Sequence, residues 1–157
     1  MRLKHKWMII LISVVFGTAA FAHANATGIV KDRMDHMNEM AEIIKEIALV
    51  MRGMEEYDPD RIRAAGEALR LLSGESITIN FPVGSLQKAS YASPMIWENW
   101  ENFSGIARNL ETYAAALVAA ADNQVNTANY SGETSAAAFQ QIAKTCSACH
   151  RDYRVQH

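Results

Sequence analysis

Two cysteines three positions apart, with a histidine directly after the second, stand near the C-terminal end: Cys146-Ser147-Ala148-Cys149-His150. This spacing is the attachment pattern for c-type haem. Each thiol can add across one vinyl group of a porphyrin, and the residues between them set the separation of the two sulfurs. The adjacent imidazole then falls beneath the iron, where a ring nitrogen is a natural axial ligand. Two other chemistries use the same residue types. A redox Cys-x-x-C dithiol normally opens a helix after a strand, whereas this motif closes a long helical pattern. A zinc site takes four ligands; Cys146, Cys149 and His150 provide three, with His36 and His157 left to complete it.

The context favours haem, beginning with the first residues. Arg2, Lys4, His5 and Lys6 form a basic start, Trp7 to Phe16 an apolar run, and Ala20-Phe21-Ala22, Ala22-His23-Ala24 and Ala24-Asn25-Ala26 are three small-x-small cleavage signals. That is a secretory leader over residues 1–26, too short in its apolar part for the ~20 residues of a membrane-spanning helix. The expected destination is the periplasm, because c-type haem is attached outside the cytoplasm. The remaining residues, 27–157, are enough for one domain with one core. The whole chain has formal charge −2, and the leader holds Arg2, Lys4 and Lys6 but no acid, so the remainder is near −5. That argues against nucleic acid or an anionic membrane as partner. Both cysteines belong to the one motif, so no structural disulfide is expected.

Four stretches must position the motif. From Ile29 to about Met54, apolar residues recur at Val30, Met34, Met37, Ala41, Ile44, Ala48, Met51 and Met54 in steps of three and four, with acids and lysines opposite. Gly53 weakens that helix's end. Asp58-Pro59-Asp60 starts a second helix, with a cap, a proline suited to the first position and an acid at the positive end of the dipole. It runs to about Leu72, with Ile62, Ala65, Leu69 and Leu72 inward. Residues 74–93 read as a long wrapped loop whose Ile77, Ile79, Phe81 and Val83 should pack against the body. Ser93-Pro94 opens a third helix carrying Trp97, Trp100, Phe103, Ala107, Leu110, Ala114, Leu117 and Ala121 inward. The last helix turns Ala136, Phe139, Ile142, Cys146, Cys149 and Tyr153 in. The fold class is all-α, an antiparallel up-down-up-down four-helix bundle. In that topology Arg33, Met37, the Phe81-Pro82 loop, Trp97, Trp100 and Cys146 to His150 share one pole, where a haem would enter.

With these pieces in place the chain resembles the cytochrome c′ family of bacterial periplasms. The resemblance is carried by Arg33-x-x-x-Met37, Phe81-Pro82, Ser93-Pro94-Met95-Ile96-Trp97 and the run from Cys146 to Arg154, in order over residues 27–157. It implies one covalently attached haem c, with thioethers at Cys146 and Cys149 and His150 as proximal iron ligand. Met37 takes the distal position, as a ligand or as an apolar block. Arg33, Phe81, Trp97 and Arg154 would form the haem environment, with Arg33 near a propionate. On spacing alone Met37 is first of all a core filler, and Arg33 a solvated charge. His36, rotated about 100° from Met37, should face solvent.

Two functions follow. With methionine and histidine on the iron, the protein is a one-electron carrier between periplasmic redox partner proteins. With an open distal face it binds nitric oxide or carbon monoxide instead. A thiol-disulfide enzyme using Cys146 and Cys149 is the third reading. No catalytic triad, phosphate loop or paired carboxylates appear, and the expectation is a protein that is not an enzyme. A homodimer is compatible with the charged outer face of the first helix.

Overall fold

The computed structural model describes residues 26–87, 90–125 and 133–155; the leader, except Ala26, lies outside them, as does His157. Among the described residues six helices follow one another: α1 (Gly28–Met51), α2 (Pro59–Leu71), α3 (Glu75–Thr78), α4 (Met95–Glu98), α5 (Trp100–Val125) and α6 (Glu133–Tyr153). The four long ones make an antiparallel bundle, and no strand occurs among the described residues. α5 packs along α2 and α6, and α1 lies against α2 but barely touches α6. That uneven packing leaves a cleft between α1 and α6.

Local chemistry accounts for the helix ends. Asp58 accepts from the backbone N–H groups of Asp60 and Arg61, with Pro59 in the first turn of α2. Arg61 reaches back to Glu46 and Glu55 and to the Glu46 carbonyl, fastening the α1–α2 turn. At this same far pole the Tyr57 hydroxyl meets Ser135 Oγ at 2.7 Å, tying the turn to the start of α6. α2 and α5 approach closely at Gly66, where a Cβ would sit 2.8 Å from the Val118 side chain. The core runs through Ile47, Ile62, Leu69, Phe103, Leu117 and Ile142, all 2% exposed or less. Each such burial contributes about 1.5–3 kcal/mol relative to exposure.

Residues 74–93 are more organised than a plain loop. Gly74 turns the chain at φ +61°, and its N–H bonds to the Ala107 carbonyl on α5. A side chain there would collide with Glu111. The single turn α3 follows, and Ile77 and Phe81 are buried as expected, but Ile79 and Val83 are 70% and 89% exposed. A helical turn at 75–78 breaks the alternation that would have put all four on one side. The segment ends pinned to α6: the Ser93 N–H bonds the Tyr153 carbonyl and the Val155 N–H the Tyr91 carbonyl, both at 2.9 Å.

The third helix also departs from expectation. Ser93 Oγ accepts from the Met95 N–H, but the helix begun there stops at Asn99 (φ −132°, ψ 49°). Asparagine is a favoured N-cap, and α5 restarts at Trp100. The restart shifts the register, so Trp100 faces outward at 40% exposure instead of joining the core. Met54, counted in the inward stripe of α1, lies beyond that helix's end and is 69% exposed.

Candidate haem site

α1 carries two apolar faces. Val30, Arg33, Met40, Ile47 and Val50 are its buried residues. Met37, Ala41, Ile44 and Ala48 instead line a cavity of ≈ 660 Å³. Leu69, Ile106 and Leu110 close it from α2 and α5, and Ile142, Cys146, Cys149 and His150 from α6. A second cavity of ≈ 380 Å³ adjoins it, lined by Arg33, Phe81, Tyr91, Phe103, Tyr153 and Arg154 among others. Both share Met37, Ala41, Cys149 and His150, so they are two lobes of one cleft. Ligand cavities run to roughly 300–1,000 Å³, and each lobe by itself lies within that range.

The cysteines sit inside α6, three residues apart on the cleft side, half-buried and unpaired. Burial raises both thiols, and Cys149 is pushed up to about 11 by burial and by the neighbouring Cys146 and Asp152. Reactive dithiols and zinc ligands need the opposite, a depressed pKa. Among the described residues no group of three or more histidine, cysteine or acidic side chains could hold a metal ion. Thiols raised in this way do not suit disulfide exchange. His150 exposes its ring at the cleft, its pKa lowered by partial burial and by Arg154. A neutral imidazole is the form that binds a metal. Arg154 lies over the Tyr91 ring at 5.1 Å.

Arg33 is no solvated charge. It is 6% exposed. Its Nε donates to the Asn80 carbonyl (2.6 Å), and Nη1 donates to the Ser85 carbonyl (3.3 Å) and Ser90 Oγ (3.4 Å). Nη2 donates to Ser85 Oγ, and the guanidinium carbon lies 4.4 Å from the Phe81 ring centroid. Burial lowers its pKa, yet a guanidinium stays charged. Every hydrogen-bond partner among the described residues is neutral. A buried cation lining a cleft, with no anionic partner among the described residues, suits a ligand that brings one, as a porphyrin propionate does. Together with the donor set on α6 and the apolar walls, this is the chemistry haem c requires, and the residues present fit it.

His36 is not the exposed residue expected. Its Nε2 donates to the Leu72 carbonyl at 2.7 Å, which holds it against α2 and away from the cleft residues. Trp97 lines neither lobe. Its indole N–H donates to the Phe81 carbonyl at 3.0 Å, so it supports the cleft wall through Phe81. The serines that hold Arg33 and the small residues Ala41 and Ala48 carried no signal of this role, because such side chains are common in any loop or helix.

The comparisons agree with this geometry. Residues 28–154 match the family model described as Cytochrome C′. A cytochrome c-556 of Agrobacterium tumefaciens is 30% identical over 129 residues, 82% of this chain and 98% of that protein. One from Agrobacterium fabrum is 27% identical over 148 residues, 94% of each. Among solved structures, the nitric oxide complex of a leucine-to-alanine variant of cytochrome c prime from Alcaligenes xylosoxidans superposes with TM-score 0.72 at 27% identity. It covers 82% of this chain and 94% of that one. Cytochrome c′ from Thermochromatium tepidum gives 0.69 at 25% identity, covering 82% and 95%. The chain is a haem c protein of the four-helix-bundle type and belongs to the cytochrome c′ family.

Proposed function

We propose that this protein is a one-electron carrier of the periplasm, exported by the leader at residues 1–26. Cys146 and Cys149 would hold the haem by thioethers, with His150 as the proximal ligand and Met37 as the distal one. The observation that carries the reading is that Met37 and His150, from opposite sides of the cleft, line both of its lobes. The bound haem supplies an Fe(III)/Fe(II) couple, and a methionine–histidine pair favours the reduced state. The apolar walls exclude water and keep the surroundings of the couple rigid. Arg33 fixes the loop that covers one lobe and offers its charge to a propionate, while Arg154 stands next to His150. The partners are periplasmic redox proteins, met through small transient interfaces.

The protein is a carrier and not an enzyme in this reading. Peroxidase-like chemistry wants a distal histidine and arginine acting together. Here His36 is bound to the Leu72 carbonyl and Arg33 to the 80–90 segment, so neither is available. A second reading, binding of nitric oxide or carbon monoxide, is favoured by Ala41. Its small side chain leaves space one turn from Met37 in both lobes. Carbon monoxide added to the reduced protein separates the two. A carrier with sulfur on the iron leaves the optical spectrum unchanged or shifts it only slowly. Rapid, tight binding would make gas capture the function and Met37 a gate.

A further inference from the structure

Exposed apolar side chains are unevenly spread over this molecule. Among the described residues eight large hydrophobic side chains are exposed, and five of them, Ile79, Val83, Leu86, Met95 and Trp100, fall between residues 79 and 100. That segment borders the haem cleft. Scattered exposed apolar residues are ordinary, but Trp100 has a particular connection. Its ring centroid is 5.6 Å from that of Phe103. Phe103 is buried and meets Phe81 at 5.0 Å and Tyr153 at 5.3 Å. All three line the smaller lobe of the cleft. A continuous series of ring contacts therefore leads from solvent at Trp100 to the cleft wall.

The charges next to it in sequence are both negative. Glu98 and Glu101, on either side of Trp100, are exposed, and neither forms an ion pair among the described residues. Some exposed acids elsewhere find cations, as Asp35 does with Lys31 and Asp60 with Arg63, while Asp32, Glu39, Glu56 and Glu75 form no ion pair among the described residues. What marks Glu98 and Glu101 is their place beside an exposed indole. An exposed indole between two unpaired carboxylates is an apolar anchor with a negative rim.

We infer that Trp100, with the exposed Met95 at the start of α4 and Glu98 and Glu101 as rim, is the docking point for a redox protein whose cofactor edge is ringed by lysine or arginine. Tryptophan is the side chain most often found as an interface anchor. Rim carboxylates steer a cationic partner without adding much to the lifetime of the complex, which suits rapid turnover. One electron leaves the reduced protein and reduces the partner, and no bond is made or broken. The inference rests on the carrier reading above.

The test uses the haem-loaded, reduced protein in stopped flow with two one-electron oxidants. Tris(1,10-phenanthroline)cobalt(III) is an aromatic cation, and ferricyanide is an anion. At low ionic strength, Trp100→Ala and the double variant Glu98→Gln/Glu101→Gln should each slow the cobalt reaction by about 3–10-fold, while the ferricyanide reaction does not slow. Cobalt rates equal to wild type in both variants would overturn the docking point. So would equal slowing with both oxidants, which would mean a general disturbance of the haem. A wild-type protein that reduces neither oxidant would remove the carrier reading itself, and the docking point with it.

Discussion

Replacing Arg33 by methionine removes a charge while keeping much of the volume, and the structure sets the scale of the effect. Two main-chain carbonyls, those of Asn80 and Ser85, lose a charged donor, as do the hydroxyls of Ser85 and Ser90. Hydrogen bonds to charged groups contribute about 1.5–3 kcal/mol each, but they share one guanidinium and do not add. Releasing a cation buried among neutral partners offsets several kcal/mol of that loss. If the loop bonds are all that Arg33 makes, the net destabilisation of the haem-loaded protein is about 1–2 kcal/mol. If a propionate also pairs with it, the variant strands a buried anion and the loss rises to about 3–5 kcal/mol. Denaturant unfolding followed by the Soret band reads the total, and limited proteolysis reads cleavage between residues 79 and 90. Arg33→Lys keeps the charge but not the forked geometry, so proteolysis should still accelerate while part of the stability returns. A loss below about 0.5 kcal/mol with unchanged proteolysis would refute the role given to Arg33 in both respects.

Other outcomes follow from single features. Gly66→Ala gains about 1 kcal/mol of helix propensity, but its Cβ meets the Val118 side chain at 2.8 Å and the Val118 nitrogen at 3.2 Å. Because the second atom is backbone, α5 must move. The net result should be a loss of about 1–2 kcal/mol, and a raised thermal midpoint would contradict it. Tyr57 has its pKa raised above the ordinary 10.0 by burial, with the Ser135 hydrogen bond opposing and Asp58 adding. Its stabilising contribution is complete below pH 10 and is lost as pH climbs through the raised value, since the unfolded phenol ionises first. Tyr57→Phe should therefore flatten the alkaline fall in stability, and an unchanged alkaline limb would show that Tyr57 does not drive it. Cys149→Ala should leave haem attached through one thioether, read as a red-shifted pyridine haemochrome band. Normal two-thioether spectra in that variant would exclude Cys149 as an attachment site.

Much of this architecture is legible in the chain because its signals are local. Asp58-Pro59-Asp60 starts a helix, the Cys146 to His150 spacing specifies an attachment chemistry, and the apolar periods define four long helices. What escaped reading depends on neighbours. The stripe through Met37, Ala41, Ile44 and Ala48 is indistinguishable in sequence from a core face, yet it lines a cleft, because periodicity reports which side is apolar and not what lies against it. Arg33 reads as a solvated charge because its acceptors lie 47 to 57 residues away. Trp100 fits an unbroken inward stripe until Asn99 interrupts the helix and turns it out. Ile79 and Val83 fit a packed strand-like segment until α3 takes one turn out of it.

The central claim is that histidine and methionine ligate one iron across this cleft. The most direct measurement is the ferric protein's EPR and far-red optical spectrum, taken for the wild type and for Met37→Leu. A low-spin signal and a weak sulfur-to-iron charge-transfer band are expected in the wild type, with both replaced by a high-spin signal in the variant. A wild type already high-spin, with the same spectrum as Met37→Leu, would contradict the claim.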